Sequence, residues 1–194
     1  REPSLCTAGQ ASSGARWLIL AALLTGTTAA FALPCHAGQP GQPLPWRVGI
    51  AKAEITPPLE VGILMSTGRR AWQPFEGVRM PLEARALVIE RDGLRLAVVS
   101  LDLLGLGDEA VGGMGQFKKR VAADAGGSVQ ADRIVLCSTH THSAPSSLGC
   151  TDLIHTKPFE AWLGDLSRKI GSAVKDAAGS ARPCRLMVGS ESAP

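Results

Sequence analysis

The chain has no tyrosine, few aromatic residues and no strong excess of either charge. Aromatic residues make up 4% of its 194 residues, and the formal net charge at pH 7 is only +3. A protein that binds nucleic acid needs a dense basic surface. The lysines and arginines here are scattered, so nucleic acid is excluded as a partner. Because tyrosine is absent, any phenol group that a site requires must come from outside this sequence.

The chain has five cysteines, but no two of them have the Cys-x-x-Cys spacing of a thiolate zinc site. In an exported protein, Cys137, Cys150 and Cys184 would allow one disulfide and leave one thiol over. The spacing leaves the pairing open, and Cys150 with Cys184 is the first pair to test. Cys137 lies in the apolar run RIVLC, so we expect it to be a small buried side chain.

Long hydrophobic runs are also rare, and the longest lies near the N-terminus at residues 17–33. An arginine precedes this run and the small residue Ala37 follows it, which is the pattern of a secretory signal peptide. We therefore expect residues 1–37 to be a signal peptide and the protein to be secreted, periplasmic or attached to the cell surface. A membrane anchor and a lipidated Cys35 are the alternatives, and Pro34 argues against the lipid.

The rest of the chain alternates between strand and helix patterns. Residues 38–45 are rich in Gly, Gln and Pro and are interpreted as a linker, and the folded part is expected over residues 46–194. Alternating strands and helices predict an α/β fold with a mixed sheet and flanking helices. The predicted strands are 47–55, 83–90, 94–104, 133–138 and 185–189, and the predicted helices are 108–124 and 158–178.

Two of these strands are separated by a short Asp-Gly turn, which predicts a β-hairpin. The second strand of the hairpin, residues 94–104, is apolar at nearly every position. We therefore expect it to be covered on both faces.

The stretch STHTHSAP, residues 138–145, holds two of the four histidines in the chain. In an extended segment, His140 and His142 would point to the same side with their Cβ atoms roughly 7 Å apart. Two such imidazoles can share one cation, and His-x-His is a common source of zinc ligands. The motif follows an apolar strand, and ligand sites in α/β sheets form at the carboxyl ends of strands.

Other interpretations of this stretch remain open at this point. The histidines could be solvated or capped loop residues. Ser143 could be a nucleophile beside a histidine base, although no G-x-S-x-G motif is present. A carboxylate in the next shell often orients a metal-binding imidazole, so Asp102 is expected either to orient a histidine or to form a salt bridge or cap. His155 is interpreted as a loop residue.

Four stretches together carry a resemblance to a known family. They are VGIAKAEITPP at 48–58, EARALVIE at 83–90, LAVVSLDLLGL at 96–106 and STHTHSAP at 138–145. In this order the chain resembles the N-terminal catalytic domain of the neutral/alkaline non-lysosomal ceramidases, over nearly all of residues 46–194. The chain is therefore interpreted as the N-terminal part of a larger catalytic domain.

The resemblance implies a zinc-dependent amidase that hydrolyses the N-acyl bond of ceramide to a fatty acid and a sphingoid base. It implies that His140 is a Zn²⁺ ligand and that His142 is a catalytic residue that contacts water or substrate. A ceramide-like lipid would be the substrate, with contact to a membrane surface. In the family the remaining zinc ligands, a His, a Glu and a Tyr, and the catalytic serine lie further along a longer chain.

Three positions depart from the family pattern. Glu54 stands where Asp is frequent, Arg79 stands where His is common, and Ala144 replaces the usual Gly. These departures leave two alternatives open. One is a hydrolase of the same fold that acts on another amide or ester, and the other is a non-catalytic exported binding module.

Overall fold

Five strands form one mixed sheet, with two α-helices packed over one of its faces. The computed structural model describes residues 46–61, 75–149 and 152–191, which lie within one compact unit. The strands are β1 (Trp46–Glu54), β2 (Glu83–Arg91), β3 (Leu94–Leu101), β4 (Ile134–Ser138) and β5 (Arg182–Cys184), and the helices are α1 (Met114–Asp124) and α2 (Lys157–Gly179). Short 3₁₀ turns occur at Leu59–Val61, Ala131–Arg133 and Asp152–His155. The predicted α/β class with a mixed sheet is confirmed.

The order of the strands in the sheet is β4-β3-β2-β1-β5. β3 and β4 are parallel and are joined through α1, whereas the other described neighbours are antiparallel. A parallel pair needs such a crossover because the chain must return to the same end of the sheet. As a result, β3 and β4 end at one edge of the sheet, where β1 also ends and β2 begins.

The predicted hairpin is formed by β2 and β3. Asp92 and Gly93 connect the strands with φ angles of 50° and 75°. Two successive left-handed residues match the right-handed twist of a hairpin, and Asp-Gly is a preferred pair for this turn. The turn places Leu87 opposite Val98 in the register.

The hydrophobic core lies between the sheet and the helices. Its largest fully buried side chains include Phe117 of α1, Phe159 and Ile170 of α2, and Leu101 of β3. Burying a side chain of this size stabilises a fold by about 1.5–3 kcal/mol. Trp162 adds a polar anchor, since its Nε1–H donates to the carbonyl of Ile55 at 2.9 Å.

The other face of the sheet carries exposed apolar side chains. Ile50 is 73% exposed, Val135 46% and Leu96 41%. The expectation that residues 94–104 are covered on both faces is therefore wrong for the described part of the protein. The burial of β3 alternates because the described helices pack on one side only.

Several element boundaries also differ from the sequence predictions. α1 begins at Met114 rather than near residue 108, because Gly112 and Gly113 have φ angles of 66° and 92°, which a right-handed helix does not allow. The strand predicted at 185–189 is wrong. β5 ends at Cys184, which pairs with Trp46, the first residue of β1. Residues after Cys184 therefore lie beyond the start of β1, and the described pairing with that strand ends there.

The predicted signal peptide, residues 1–37, and the linker, residues 38–45, lie outside the described residues and stay predictions. Within the described ranges, no helix has both the length and the hydrophobicity needed to cross a bilayer.

Candidate metal and catalytic site

The candidate site lies where β3 and β4 end side by side. The pairing of the two strands continues beyond β4, because the Thr139 N–H donates to the Leu101 carbonyl at 2.9 Å. The His140 N–H then donates to the Leu103 carbonyl at 3.0 Å. The histidine motif is thus attached to the loop that follows β3, at the carboxyl edge where the strand order predicts a site.

The backbone of His140 is left-handed, with a φ angle of 62°. The motif is therefore not the extended segment that the sequence predicted. A non-glycine residue in this region costs about 1–3 kcal/mol, and such residues cluster at functional sites. The hydrogen bonds of His140 to the loop after β3 offset this cost.

The ring of His140 has a defined partner. Its Nδ1 lies 2.9 Å from the Leu104 carbonyl oxygen. Because a carbonyl can only accept, Nδ1 carries the proton in the neutral ring, and Nε2 then keeps its lone pair. A metal-binding histidine commonly donates its other N–H to a backbone carbonyl in this way. His140 is an exposed residue, so this arrangement suits binding of a cation at Nε2.

His142 lies beside this ring. The centroids of the two imidazoles are 5.4 Å apart, and their planes meet at 79° in an edge-to-face arrangement. The two rings lie close together, as the sequence predicts. The cause is different, because the left-handed backbone at His140 brings them together instead of the alternation of an extended strand. Both side chains are exposed, so a ligand can reach them.

The turn after the histidines is anchored in the protein. Its four residues Ala144, Pro145, Ser146 and Ser147 are buried. The Ser143 N–H donates to the Thr141 hydroxyl at 3.2 Å, and within the described residues the Ser143 hydroxyl has no hydrogen bond to either imidazole. The nucleophile interpretation of Ser143 thus gains no support from the geometry.

Asp102 does not orient a histidine. Its carboxylate accepts the Glu83 N–H at 3.0 Å and two hydrogen bonds from Arg85 at 3.0 and 3.1 Å. The alternative of a salt bridge and backbone cap is therefore the one observed. The position expected for a carboxylate beside His140 is taken by the Leu104 carbonyl. Sequence reasoning missed this group because every residue has a carbonyl and only the fold selects one.

Charged side chains on β1 and β2 surround this cap. The Lys52 Nζ lies 2.6 Å from Glu83 Oε1, and Arg85 lies 2.8 Å from the other Glu83 oxygen. The hydrogen bond from Lys52, with a smaller contribution from Arg85, lowers the pKa of Glu83. Asp102 raises the pKa of Arg85 by hydrogen bonding and charge attraction. These groups join the start of β2 to the end of β3.

The remaining candidates lie apart from the histidine pair or outside the description. Cys137 is exposed rather than buried, because its position in β4 faces the uncovered side of the sheet, and its thiol contacts the Val99 carbonyl at 3.3 Å. Cys184 is also a free thiol, so the first pairing to test, Cys150 with Cys184, is not formed in this structure. Cys150 itself lies outside the described residues. His155 ends a 3₁₀ turn and is exposed, as expected for a loop residue.

The described residues do not by themselves form a metal site. The donor chemistry of His140 suits zinc, which binds neutral imidazole nitrogen. Among residues 46–61, 75–149 and 152–191, however, no group of three or more His, Cys, Asp or Glu side chains could hold a metal ion. Any complete zinc site must therefore draw ligands from elsewhere.

Comparison with known proteins finds similarity to neutral ceramidases in both sequence and fold. The neutral ceramidase of Pseudomonas aeruginosa is 35% identical over 128 residues, which are 64% of this chain and 18% of that protein. A solved structure of neutral ceramidase from Pseudomonas aeruginosa has a TM-score of 0.55 and 27% identity, over 73% of this chain and 23% of the solved one. A structure described as ceramidase complexed with C2 has a TM-score of 0.55 and 26% identity, over 72% and 22%. No family model matches the sequence.

In sequence and in fold, this α/β domain is similar to part of the neutral ceramidases, and the resemblance indicated by the sequence motifs is thereby confirmed. The chain spans about a fifth of the length of these relatives, since it covers 18% of the curated protein and 22–23% of the solved chains.

Proposed function

We propose that this chain is part of a zinc-dependent amidase that hydrolyses the N-acyl bond of ceramide to a fatty acid and a sphingoid base. The observation that carries the proposal is the hydrogen bond between Nδ1 of His140 and the Leu104 carbonyl, which leaves Nε2 of the neutral ring as the lone-pair donor. The similarity to neutral ceramidases supports the substrate class. The site would take a ceramide-like lipid at the surface of a membrane, and the protein would act outside the cytoplasm.

His140 and His142 have different tasks in this proposal. His140 would hold zinc through Nε2, with the remaining ligands supplied by other parts of the full-length protein. A zinc ion in such a site polarises a carbonyl group and makes water a better nucleophile at neutral pH. His142 lies 5.4 Å away between ring centroids, and it is the imidazole that would contact water or substrate and transfer protons.

Amide hydrolysis requires one proton for the departing nitrogen. Water adds its oxygen to the acyl carbon, the C–N bond breaks, and the amine leaves as the free sphingoid base. A histidine that accepts a proton from water and returns one to the nitrogen completes the balance. The exposure of His142 and the 5.4 Å between its ring centroid and that of His140 support this assignment.

The test is hydrolysis by the purified full-length natural protein of three matched substrates: a ceramide, a simple N-acyl amide and a fatty-acid ester. We expect release of fatty acid from ceramide, loss of this activity on chelation of zinc, and recovery when zinc is returned. If the protein hydrolysed only the ester or only the simple amide, that compound class would replace ceramide as the proposed substrate. Full activity after complete removal of zinc would overturn the metal assignment.

A further inference from the structure

Two loops, rather than one, determine the position of the His140 ring. The first follows β3 and contains Leu103, Leu104, Gly105 and Gly107, and the second contains the histidine motif and continues to Leu148. Both loops leave the sheet at the ends of parallel neighbours. The carbonyls that hold His140 all belong to the first loop, so its exact path decides where the imidazole points.

Ser147 connects the two loops directly beside these carbonyls. Its hydroxyl donates to the Gly105 carbonyl, and its own carbonyl accepts the Gly107 N–H at 2.7 Å. The Ser147 side chain is 0% exposed. A buried hydroxyl that loses its partner destabilises the fold, so this pair of bonds holds the segment from Gly105 to Gly107 in place.

The same segment approaches the second loop too closely for a side chain. A Cβ at Gly107 would overlap the backbone of Leu148, and a Cβ at Gly105 would overlap the Leu148 side chain. The clamp therefore depends on glycine in the first loop and on a hydroxyl in the second. The Leu104 carbonyl belongs to the peptide bond between Leu104 and Gly105, and Gly105 is the residue that the Ser147 hydroxyl binds.

We propose that Ser147 is a positioning residue for His140. By fixing Gly105 and Gly107, it sets the Leu104 carbonyl against Nδ1 and thereby keeps the proton on Nδ1 and the lone pair on Nε2. Its consequence for zinc rests on the function proposed above. Its consequence for the protonated ring nitrogen does not, because that is a property of the metal-free protein.

The test uses the full-length natural protein with ¹⁵N-labelled histidine, in the metal-free form at mildly alkaline pH. The ring signal of His140, identified with a His140→Gln variant, is expected to show Nδ1–H and an unprotonated Nε2. Ser147→Ala should shift this signal toward a mixture of the two neutral forms. In a parallel titration it should weaken zinc binding about 10 to 100-fold, the usual effect of losing a group that orients a metal ligand.

Ser146→Ala is the matched control. Ser146 is a neighbouring buried serine, 3% exposed, whose hydroxyl makes none of the bonds between the loops. Its replacement should leave the ring signal and the zinc affinity unchanged. Gly107→Ala tests the clamp from the other loop and should change the ring signal in the same direction as Ser147→Ala.

The outcomes separate the two proposals. A folded Ser147→Ala protein with an unaltered His140 signal and zinc affinity would overturn the positioning role. Wild-type protein with the proton on Nε2 would overturn it without any variant, even if the variants do not fold. If the ring signal responds to Ser147→Ala but zinc binding does not depend on His140, the positioning role stands and the metal assignment fails.

Discussion

At the residue scale, the two histidines of the motif differ in what holds their rings. His140 is bound to the loop after β3 through its backbone N–H and its Nδ1. His142 is exposed, and its ring contacts the ring of His140 edge to face. A fixed ring suits a metal ligand, and a ring with more freedom suits proton transfer.

We expect alanine at the two positions to have different effects in the full-length protein. His140→Ala should lose bound zinc and activity together, because it would remove the proposed metal ligand. His142→Ala should keep most of the zinc and lose turnover, because it would remove the group proposed to act on water or substrate. Elemental analysis of folded protein and an amide-hydrolysis assay measure the two effects.

His155→Ala provides the control, since that residue is an exposed loop histidine. It should retain wild-type zinc content and activity. If His140→Ala and His142→Ala both retained a full equivalent of zinc and normal turnover, the motif would be structural and the amidase proposal would fail.

Glu83 provides a prediction about pH at the same scale. Lys52, the main cause, and Arg85 lower the pKa of its carboxyl group. Because the folded pKa lies below the unfolded one, the interaction stabilises the fold above the ordinary carboxyl pKa. This stabilisation is lost as the pH falls through the lowered value. Lys52→Met should therefore raise the pKa of Glu83 in an NMR titration and make the β1–β2 region less resistant to acid.

Lys175→Met is a suitable comparison for this measurement because Lys175 is an exposed lysine on α2. It should leave the Glu83 titration unchanged. Lys52 is 68% exposed, so added salt should weaken the effect of its replacement. A Glu83 titration that does not respond to Lys52→Met would remove the assigned cause.

At the element scale, α1 and α2 cross at a glycine. A Cβ at Gly171 would overlap Asp124 at the end of α1, including its backbone. Ser167, one turn earlier on α2, donates a hydrogen bond to the Asp124 carboxylate at 3.1 Å. The close approach of the helices therefore depends on the missing side chain at Gly171.

Gly171→Ala and Gly164→Ala should change the stability of α2 in opposite directions. The first forces the helices apart, and overpacking of this kind costs about 1–3 kcal/mol. The second faces open space, so alanine should stabilise the helix by about 0.5–1 kcal/mol through its lower backbone entropy. Hydrogen exchange of the α2 amides in the full-length protein measures both, and equal protection in the two variants would contradict the crossing argument.

At the scale of the whole molecule, the described sheet has one face buried by the helices. The other face, called the open face here, carries exposed apolar side chains. On the open face, Ile50, Leu87, Val98 and Val135 lie directly across four strands in register. Such a row on a soluble surface favours association with other apolar surfaces. The part that aligns with this chain is only 18% of the curated relative.

We predict that the 194-residue chain alone does not hydrolyse ceramide and is only marginally stable. Its described residues do not hold the group of ligands that the proposed zinc site needs, and its open face and edge strands favour self-association. An activity assay and sedimentation of the purified chain test this. Ile50→Lys with Val135→Lys should reduce the association, and robust turnover by the chain alone would show that the catalytic residues are misplaced.

Local patterns in the sequence were enough to predict the hairpin, helix α2 and the position of the histidine motif. Asp-Gly between two β-rich runs predicted the hairpin, because few residue pairs tolerate two left-handed positions. Apolar residues at helical spacing predicted α2, and the position of STHTHSAP after a strand indicated the site. The same motifs in order indicated the ceramidase family, because the combination is more specific than any single motif.

The hydrogen bonds between residues that are distant in the sequence follow from the fold alone. The Leu104 carbonyl at His140, the clamp by Ser147 and the pairing of Asp102 with Arg85 depend on strand order and register, which bring distant residues to one edge. The exposure of Cys137 likewise depends on which face the helices cover. Hydrophobic patterns report the period of an element, whereas contacts between loops depend on where neighbouring strands end.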